Sequence, residues 1–265
     1  MATIAENLQA VRSRIARAAQ AAGRRADEIQ LLAVSKTFPA ARIIEAYVAG
    51  QRAFGESFAQ EAVEKITELA ATPLDHRVLQ ARREAARAQG KAPLAGPGTS
   101  PETSSLSALE WHFIGPIQSN KTRIIAEHFQ WVHSIDREKI ALRLNGARGP
   151  ELPPLEVCIE VNVSGERSKS GVAPGGEVPL AEAISRLPQL RLRGLMTIPE
   201  PTPDINVQRR RFALLRDLQL KLAARGYALD TLSMGMSDDF EAAISEGATI
   251  VRVGTAIFGS RGGNR

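Results

Sequence analysis

Lys36 follows Leu31-Leu32-Ala33-Val34 with only Ser35 between, so an amine stands where a wholly apolar run ends. If that run is a strand opening into a pocket, burial disfavours the ammonium form and frees a nucleophile for attack on a carbonyl. The competing reading is a lysine that closes a strand with its charge in water. A second group of residues lies far along the chain, in Leu232-Ser233-Met234-Gly235-Met236-Ser237 and in Val251-Arg252-Val253-Gly254-Thr255-Ala256-Ile257-Phe258-Gly259. Gly254 lets backbone approach an anion, Thr255 offers an N–H and a hydroxyl, and residues 256–258 suit a short helix behind them. Ser233 and Ser237 add hydroxyl donors. Asp238 and Asp239 oppose an anion and are expected as first-turn charges facing away from it. Two ordinary strand-end turns are the plainer alternative. Arg252 interrupts an apolar strand, where a guanidinium needs either a ligand or an inward carboxylate such as Glu160.

Other polar residues carry weaker signals. Glu56 follows Phe54-Gly55 and is placed to orient Lys36 or a neighbour. Asn162 is expected to point into the molecule, and residues 164–171 to form a mobile lid or rim. His112, His128 and His133 lack metal-ligand spacing and read as histidines of strands and helix ends. Met196 reads as packing.

Apolar strand-like runs alternate with helical patterns along the whole chain. Strands are expected at 29–35, 52–55, 111–114, 131–135, 155–163, 190–196, 231–234 and 249–253. Helices are expected at 40–49, 58–70, 120–128, 138–145, 180–186, 206–224 and 238–245. A first helix presents Ile4, Leu8, Val11 and Ile15 on one face and stops at Gly23. Strands apolar on both faces belong inside a parallel sheet covered by helices, and eight such units close a (β/α)8 barrel. An open doubly wound sheet would place a glycine-rich loop after the first strand, and Ser35-Lys36-Thr37-Phe38-Pro39 is not one. The expected fold is a single (β/α)8 TIM-type barrel of residues 1–265, with an extra N-terminal helix. Residues 72–109 form a probable flexible surface insertion, charged and then rich in Pro, Gly, Ser and Thr.

Composition narrows the function class. Among 265 residues, 34 Lys+Arg against 29 Asp+Glu leave +5, and 43% hydrophobic content is that of an ordinary globular chain. The single cysteine, Cys158, excludes a disulfide framework. No apolar run reaches the length of a membrane span, and the N-terminus reads as an amphipathic helix, so a cytoplasmic protein is expected. The densest basic run, Arg209-Arg210-Arg211, has no interleaved aromatic rings, and no nucleic-acid partner is expected.

Several stretches taken together resemble the pyridoxal-phosphate homeostasis protein family, single-domain relatives of the alanine racemase barrel. They are 32–37 (Leu-Ala-Val-Ser-Lys-Thr), 54–56 (Phe-Gly-Glu), 111–121, 195–199, 232–239 and 251–259, in order across nearly the whole chain. The resemblance implies pyridoxal 5′-phosphate as cofactor, held as an aldimine on Lys36. It implies that Ser233, Gly235, Gly254 and Thr255 serve the phosphate end and that Arg252 meets the pyridine nitrogen. It further implies a non-catalytic carrier or buffer that supports vitamin B6 and amino-acid homeostasis, with PLP-dependent apo-enzymes as candidate recipients. One departure is Ser57, where the family usually has Asn. An amino-acid racemase is the alternative. It needs a second acid/base opposite the lysine, and the two tyrosines, Tyr47 and Tyr227, fall in or near outer helices, in a chain that ends at Arg265 with no added domain. A Schiff-base aldolase acting on a sugar phosphate is a more distant rival.

Overall fold

The computed structural model describes residues 2–72, 109–166 and 169–260. Parallel strands β1 (Gln30–Val34), β2 (Ala53–Glu56), β3 (Glu110–Phe113), β4 (Trp131–Ile135), β5 (Leu155–Glu160), β6 (Leu190–Met196), β7 (Thr231–Ser233) and β8 (Ile250–Val253) follow one another around a closed barrel. Ala33 of β1 pairs with Phe54 on one side and Val253 on the other, so no strand edge is left open. The helices between them are α1 (Ile4–Ala21), α2 (Ala40–Val48), α3 (Ala59–Ala71), α4 (Thr122–His128), α5 (Glu138–Ala147), α6 (Glu177–Ser185), α7 (Ile205–Ala223), α8 (Phe240–Ser245) and α9 (Thr255–Phe258). The architecture is the expected (β/α)8 barrel with its N-terminal helix. The expected insertion at 72–109 lies, apart from its two end residues, outside the described residues.

Strand alternation divides the buried residues. Leu31, Ala33, Phe54, Phe113, Val157 and Val253 point outward and pack with the apolar faces of the helices. Leu32, Val34, Ala53, Ile114 and Ile250 cluster separately inside the barrel, as do Trp131, Cys158 and Met196. Two dry faces explain why the strands read as unbroken apolar runs. Cys158 is fully buried, and burial pushes its thiol far above the ordinary range.

Helix α1 opens with a capping box: the Thr3 hydroxyl accepts from the Glu6 N–H, and the Glu6 carboxylate accepts from the Thr3 N–H. Its apolar face packs on α2, α8 and α9, and the Asn7 amide donates to the Ile257 carbonyl at 2.8 Å. The helix therefore covers the seam where β8 meets β1.

Boundaries differ from expectation for local reasons. β5 ends at Glu160 rather than 163, because Val161 bridges to Val172 and the Asn162 side chain closes a turn with Gly165 and Glu166. Asn162 thus serves the loop after β5, whose residues 167 and 168 are not described. Helix α6 starts at Glu177 rather than 180, since Pro179 is tolerated in a first turn. The 120–128 helix begins as a 3₁₀ turn, Ser119–Lys121, before α4.

Gly194 is obligatory. A methyl group there would strike the carbonyl oxygen and carbon of Thr231, its pairing partner on β7. Gly194→Ala is expected to cost about 3 kcal/mol of unfolding free energy, read as a lower midpoint in urea with the slope preserved.

Candidate functional site

The chain leaves β1 at Val34 and turns through residues 35–39 into α2, on the face formed by the carboxyl ends of the strands. Lys36 is half-buried on this turn. Thr37 has φ 70°, a left-handed conformation that a β-branched residue adopts only when its surroundings impose it. Three contacts impose it. The Ser35 hydroxyl donates to Glu56 Oε1 at 2.7 Å, Lys65 Nζ donates to the Ser35 carbonyl at 2.9 Å, and the Thr37 N–H donates to Glu61 Oε1 at 2.6 Å. Lys65 also joins the two acids, at 2.9 Å from Glu56 and 2.6 Å from Glu61. Glu56 grips a neighbour of Lys36, one of the two outcomes expected for it. Burial raises the Glu56 carboxyl pKa while the Lys65 charge opposes the rise, and its Oε2 has no hydrogen-bond partner among the described residues.

The end of β8 closes against this turn. A Cβ on Gly254 would stand 3.2 Å from the Val34 carbonyl oxygen, two residues before Lys36. Gly254 caps α9, and Thr255 beside it is exposed. The loop after β7 joins from the other side, where the Arg252 N–H donates to the Gly235 carbonyl at 2.9 Å. Gly235 has φ 94°, and a Cβ there would lie 2.7 Å from that of Ala243. Only glycine keeps this loop pressed onto α8. Asp239 departs from expectation. It is half-buried, accepts from the Met236 N–H at 2.6 Å and acts through space on Arg252, so it does not face away. The reason is that the loop N–H needs an acceptor and the buried guanidinium favours a nearby negative charge. Asp238 is exposed, as expected.

Arg252 is 3% exposed inside the barrel mouth. Its Nη1 donates to Ser233 Oγ and its Nη2 to the Thr197 carbonyl, both at 2.8 Å. No carboxylate reaches ion-pair distance of it among the described residues, so the alternative of a direct Arg252–Glu160 bridge is not realised. Burial lowers the guanidinium pKa to about 10, with Asp239 and Glu160 opposing, and it remains a cation at neutral pH. A buried cation left with hydroxyl and carbonyl partners alone is prepared for an acceptor from a ligand.

Ser233 sits beside Arg252 and His133. Its hydroxyl is fully buried, accepts from Arg252 and lies 2.7 Å from His133 Nδ1. Its oxygen thereby seats the Arg252 guanidinium. Ser237, on the same loop, is half-buried. His112 and His133 are also fully buried, with His112 Nδ1 2.8 Å from His133 Nε2, and belong to this interior network. His128 does end a helix, α4. Met196 packs with Trp131 and Cys158 as expected.

Burial, reinforced by Asp136, raises the Glu160 carboxyl to about 7. Unfolded, the same group ionises near 4.5, so the native state holds the extra proton between these values and stability falls as pH rises through them. Glu160→Gln is expected to stabilise the protein by about 2 kcal/mol above pH 7 and to change little below pH 4.5, checked by thermal melts at both ends.

Away from the mouth the basic run is largely neutralised: Arg209 pairs with Glu246 at 2.7 Å and Arg211 with Glu200 at 2.9 Å. Tyr47 is buried in α2, and Tyr227 lies just beyond α7, packed on the core. No described helix is long and apolar enough to cross a membrane.

The mouth thus combines an amine on a clamped turn, a buried cation and a glycine-lined loop with N–H and hydroxyl donors. That donor set suits an anionic aldehyde. Comparison with known proteins points the same way. Residues 7–262 match the family model described as alanine racemase, N-terminal domain. A curated relative from Pseudomonas aeruginosa, named pyridoxal phosphate homeostasis protein, is 56% identical over 98% of this chain and 97% of its own. One of the same name from Vibrio cholerae is 51% identical over 98% of both chains. Among solved structures, PipY of Synechococcus elongatus with PLP bound superposes with a TM-score of 0.73 at 34% identity, covering 97% of this chain and 100% of that one.

Proposed function

This chain belongs to the pyridoxal phosphate homeostasis proteins, built on the alanine racemase N-terminal domain, and from that premise we propose that it holds and releases pyridoxal 5′-phosphate without turning over a substrate. The observation that carries the reading is the meeting of three strand ends: Gly254 lies against Val34, and Arg252, buried with no carboxylate at ion-pair distance among the described residues, is anchored on Ser233. The donor set fits the cofactor's three polar parts, with Lys36 for the aldehyde, Arg252 for the ring nitrogen, and Gly254, Thr255 and Ser237 for the phosphate. Bound there, the cofactor supplies an aldehyde that an amine captures reversibly and a ring that stores electrons.

The protein's own contribution is placement and restraint. The Glu56–Lys65–Glu61 clamp keeps the Lys36 turn in its strained form, so the amine meets the aldehyde without further ordering of the backbone. Arg252 keeps its protons and leaves the ring nitrogen without one, which weakens the ring as an electron sink. Neither tyrosine supports racemisation, because both belong to the helical layer rather than the mouth. The role extends to buffering a reactive aldehyde in the cytoplasm and handing it to PLP-dependent apo-enzymes, with amino-acid balance affected through them.

Loaded protein incubated with a PLP-dependent apo-enzyme should restore that enzyme's activity, and incubated with L-alanine in D₂O should exchange no α-proton above free cofactor. Exchange well above free cofactor would establish the racemase instead. Failure to load at all would end both readings.

A further inference from the structure

Five side chains form an unbroken hydrogen-bonded line through the barrel interior. Arg252 Nη1 lies 2.8 Å from Ser233 Oγ, which lies 2.7 Å from His133 Nδ1. His133 Nε2 lies 2.8 Å from His112 Nδ1, and His112 Nε2 lies 2.7 Å from Glu110 Oε1. The line crosses β8, β7, β4 and β3, from the mouth to the first residue of β3 at the opposite end of the barrel. Chemistry at its two ends sets the direction of every bond. A guanidinium only donates and a carboxylate only accepts. His112 therefore carries its proton on Nε2, its bare Nδ1 accepts from His133 Nε2–H, and His133's bare Nδ1 accepts from the Ser233 hydroxyl, which itself accepts from Arg252.

The surroundings hold both rings neutral and in place. His112, His133 and Ser233 are fully buried, and Trp131 stacks on His112 with centroids 5.4 Å apart and planes 8° apart. Burial lowers both histidine pKa values, and the Arg252 charge presses further on His133. The charged groups facing the line are Arg252, Glu160 and Asp239 at the mouth, with the thiol of Cys158 also acting on Arg252. At the other end Glu110 stays ionised, its carboxyl lowered chiefly by His112, with Gln30 and Trp131 also bonded to it. Arg193 covers Trp131 there while pairing with Glu156 and Asp230.

We propose that Ser233, His133, His112 and Glu110 are positioning residues for Arg252, a one-way relay that ties the guanidinium at the cofactor's ring nitrogen to a carboxylate at the far end of the barrel. The proposal rests on the cofactor reading above. Arg252 donates in any orientation; what the line fixes is the Ser233 oxygen on which Nη1 is seated, so the guanidinium presents its remaining N–H groups in one direction. Losing the carboxylate removes the constraint at its source, since the chain of donors no longer ends on an obligate acceptor.

Two measurements test it. In cofactor-free wild-type protein, long-range ¹H–¹⁵N spectra should show two of the four histidines as neutral Nε2–H tautomers that do not titrate from about pH 5.5 to 8.5, against an ordinary value of about 6.5. Assignment to His112 and His133 comes from comparison with the His112→Asn and His133→Asn spectra. A ring at either position that titrates near 6.5, or that reads as Nδ1–H, overturns the relay and leaves the cofactor reading standing. In loaded protein, Glu110→Gln should move the pH midpoint of the cofactor's visible spectrum by about half a unit or more, a threefold change in the underlying equilibrium, and Glu110→Asp should restore part of it. An unmoved midpoint overturns the positioning role. A wild type that takes up no cofactor removes the parent reading, and the relay's purpose with it, whatever the histidine spectra show.

Discussion

Lys36→Ala should leave a folded, colourless protein. The side chain is half-buried on a turn whose conformation is set by Ser35, Thr37 and their partners on β2 and α3, so its removal spares the barrel. On the proposed reading, what it removes is the covalent hold on the aldehyde. Arg252 and the Gly254–Thr255 turn should then keep a residual grip on the ring and the phosphate. Retention is expected to weaken about a hundredfold, ~2.7 kcal/mol, with no visible band surviving gel filtration and no cofactor mass on the chain after borohydride reduction. A variant that still binds noncovalently separates the amine's part from that of the anion site. Unchanged colour would place the attachment elsewhere.

Lys65→Met should be the most destabilising single change near the site. Lys65 and Glu56 have side chains 7% and 0% exposed and lie 2.9 Å apart. Replacing the cation leaves a buried carboxylate without its partner, at an expected cost of about 3–5 kcal/mol at neutral pH. The cost depends on pH with a definite sign. Burial already raises the Glu56 carboxyl, and loss of the Lys65 charge raises it further, so the variant's native state holds a proton that the unfolded chain releases near 4.5. Its stability falls as pH rises through that range, and the gap from wild type is smaller at pH 5 than at pH 8. Urea titrations at the two pH values check this, and Glu56→Gln in the Lys65→Met background should recover part of the loss. The same substitution frees the Ser35 carbonyl and Glu61, so cofactor capture should slow even where the protein is folded.

The barrel was legible because its strands are buried on both faces. Runs such as Leu31–Val34 and Val157–Ile159 stand out against amphipathic helices, and each expected strand overlaps an observed one. The ends of β1 and β8 were legible through residues that apolar runs do not ordinarily carry, Lys36 two positions after Val34 and Arg252 two before Gly254. The missed residues lack any such local mark. Lys65 sits on the inner face of α3 and meets Glu56 across an element boundary, which no helical or strand period reveals. Glu61 reads as a solvated helix charge until Thr37 turns its N–H toward it.

His112 and His133 are a different case, because a signal was present. Glu110 and His112 share one face of β3, and His133 is an inward residue of β4, so strand alternation sets polar groups beside Arg252's own layer. The argument that an inward arginine needs a partner applies equally to an inward histidine. Arg252 then found its partners in a hydroxyl and a carbonyl rather than in Glu160, which leaves Glu160 partly protonated near neutrality. Helix starts were missed where first-turn chemistry departs from the apolar period, as at Pro179 and at the 3₁₀ turn Ser119–Lys121.

The central claim is that one amine, at position 36, captures the aldehyde of a cofactor held across the barrel mouth. The direct measurement is peptide mapping by mass spectrometry after loading wild-type protein with one equivalent of pyridoxal 5′-phosphate and reducing with borohydride. The account predicts a single phosphopyridoxyl adduct, on the peptide containing Lys36. An adduct spread over surface lysines, or confined to a lysine other than Lys36, would contradict it.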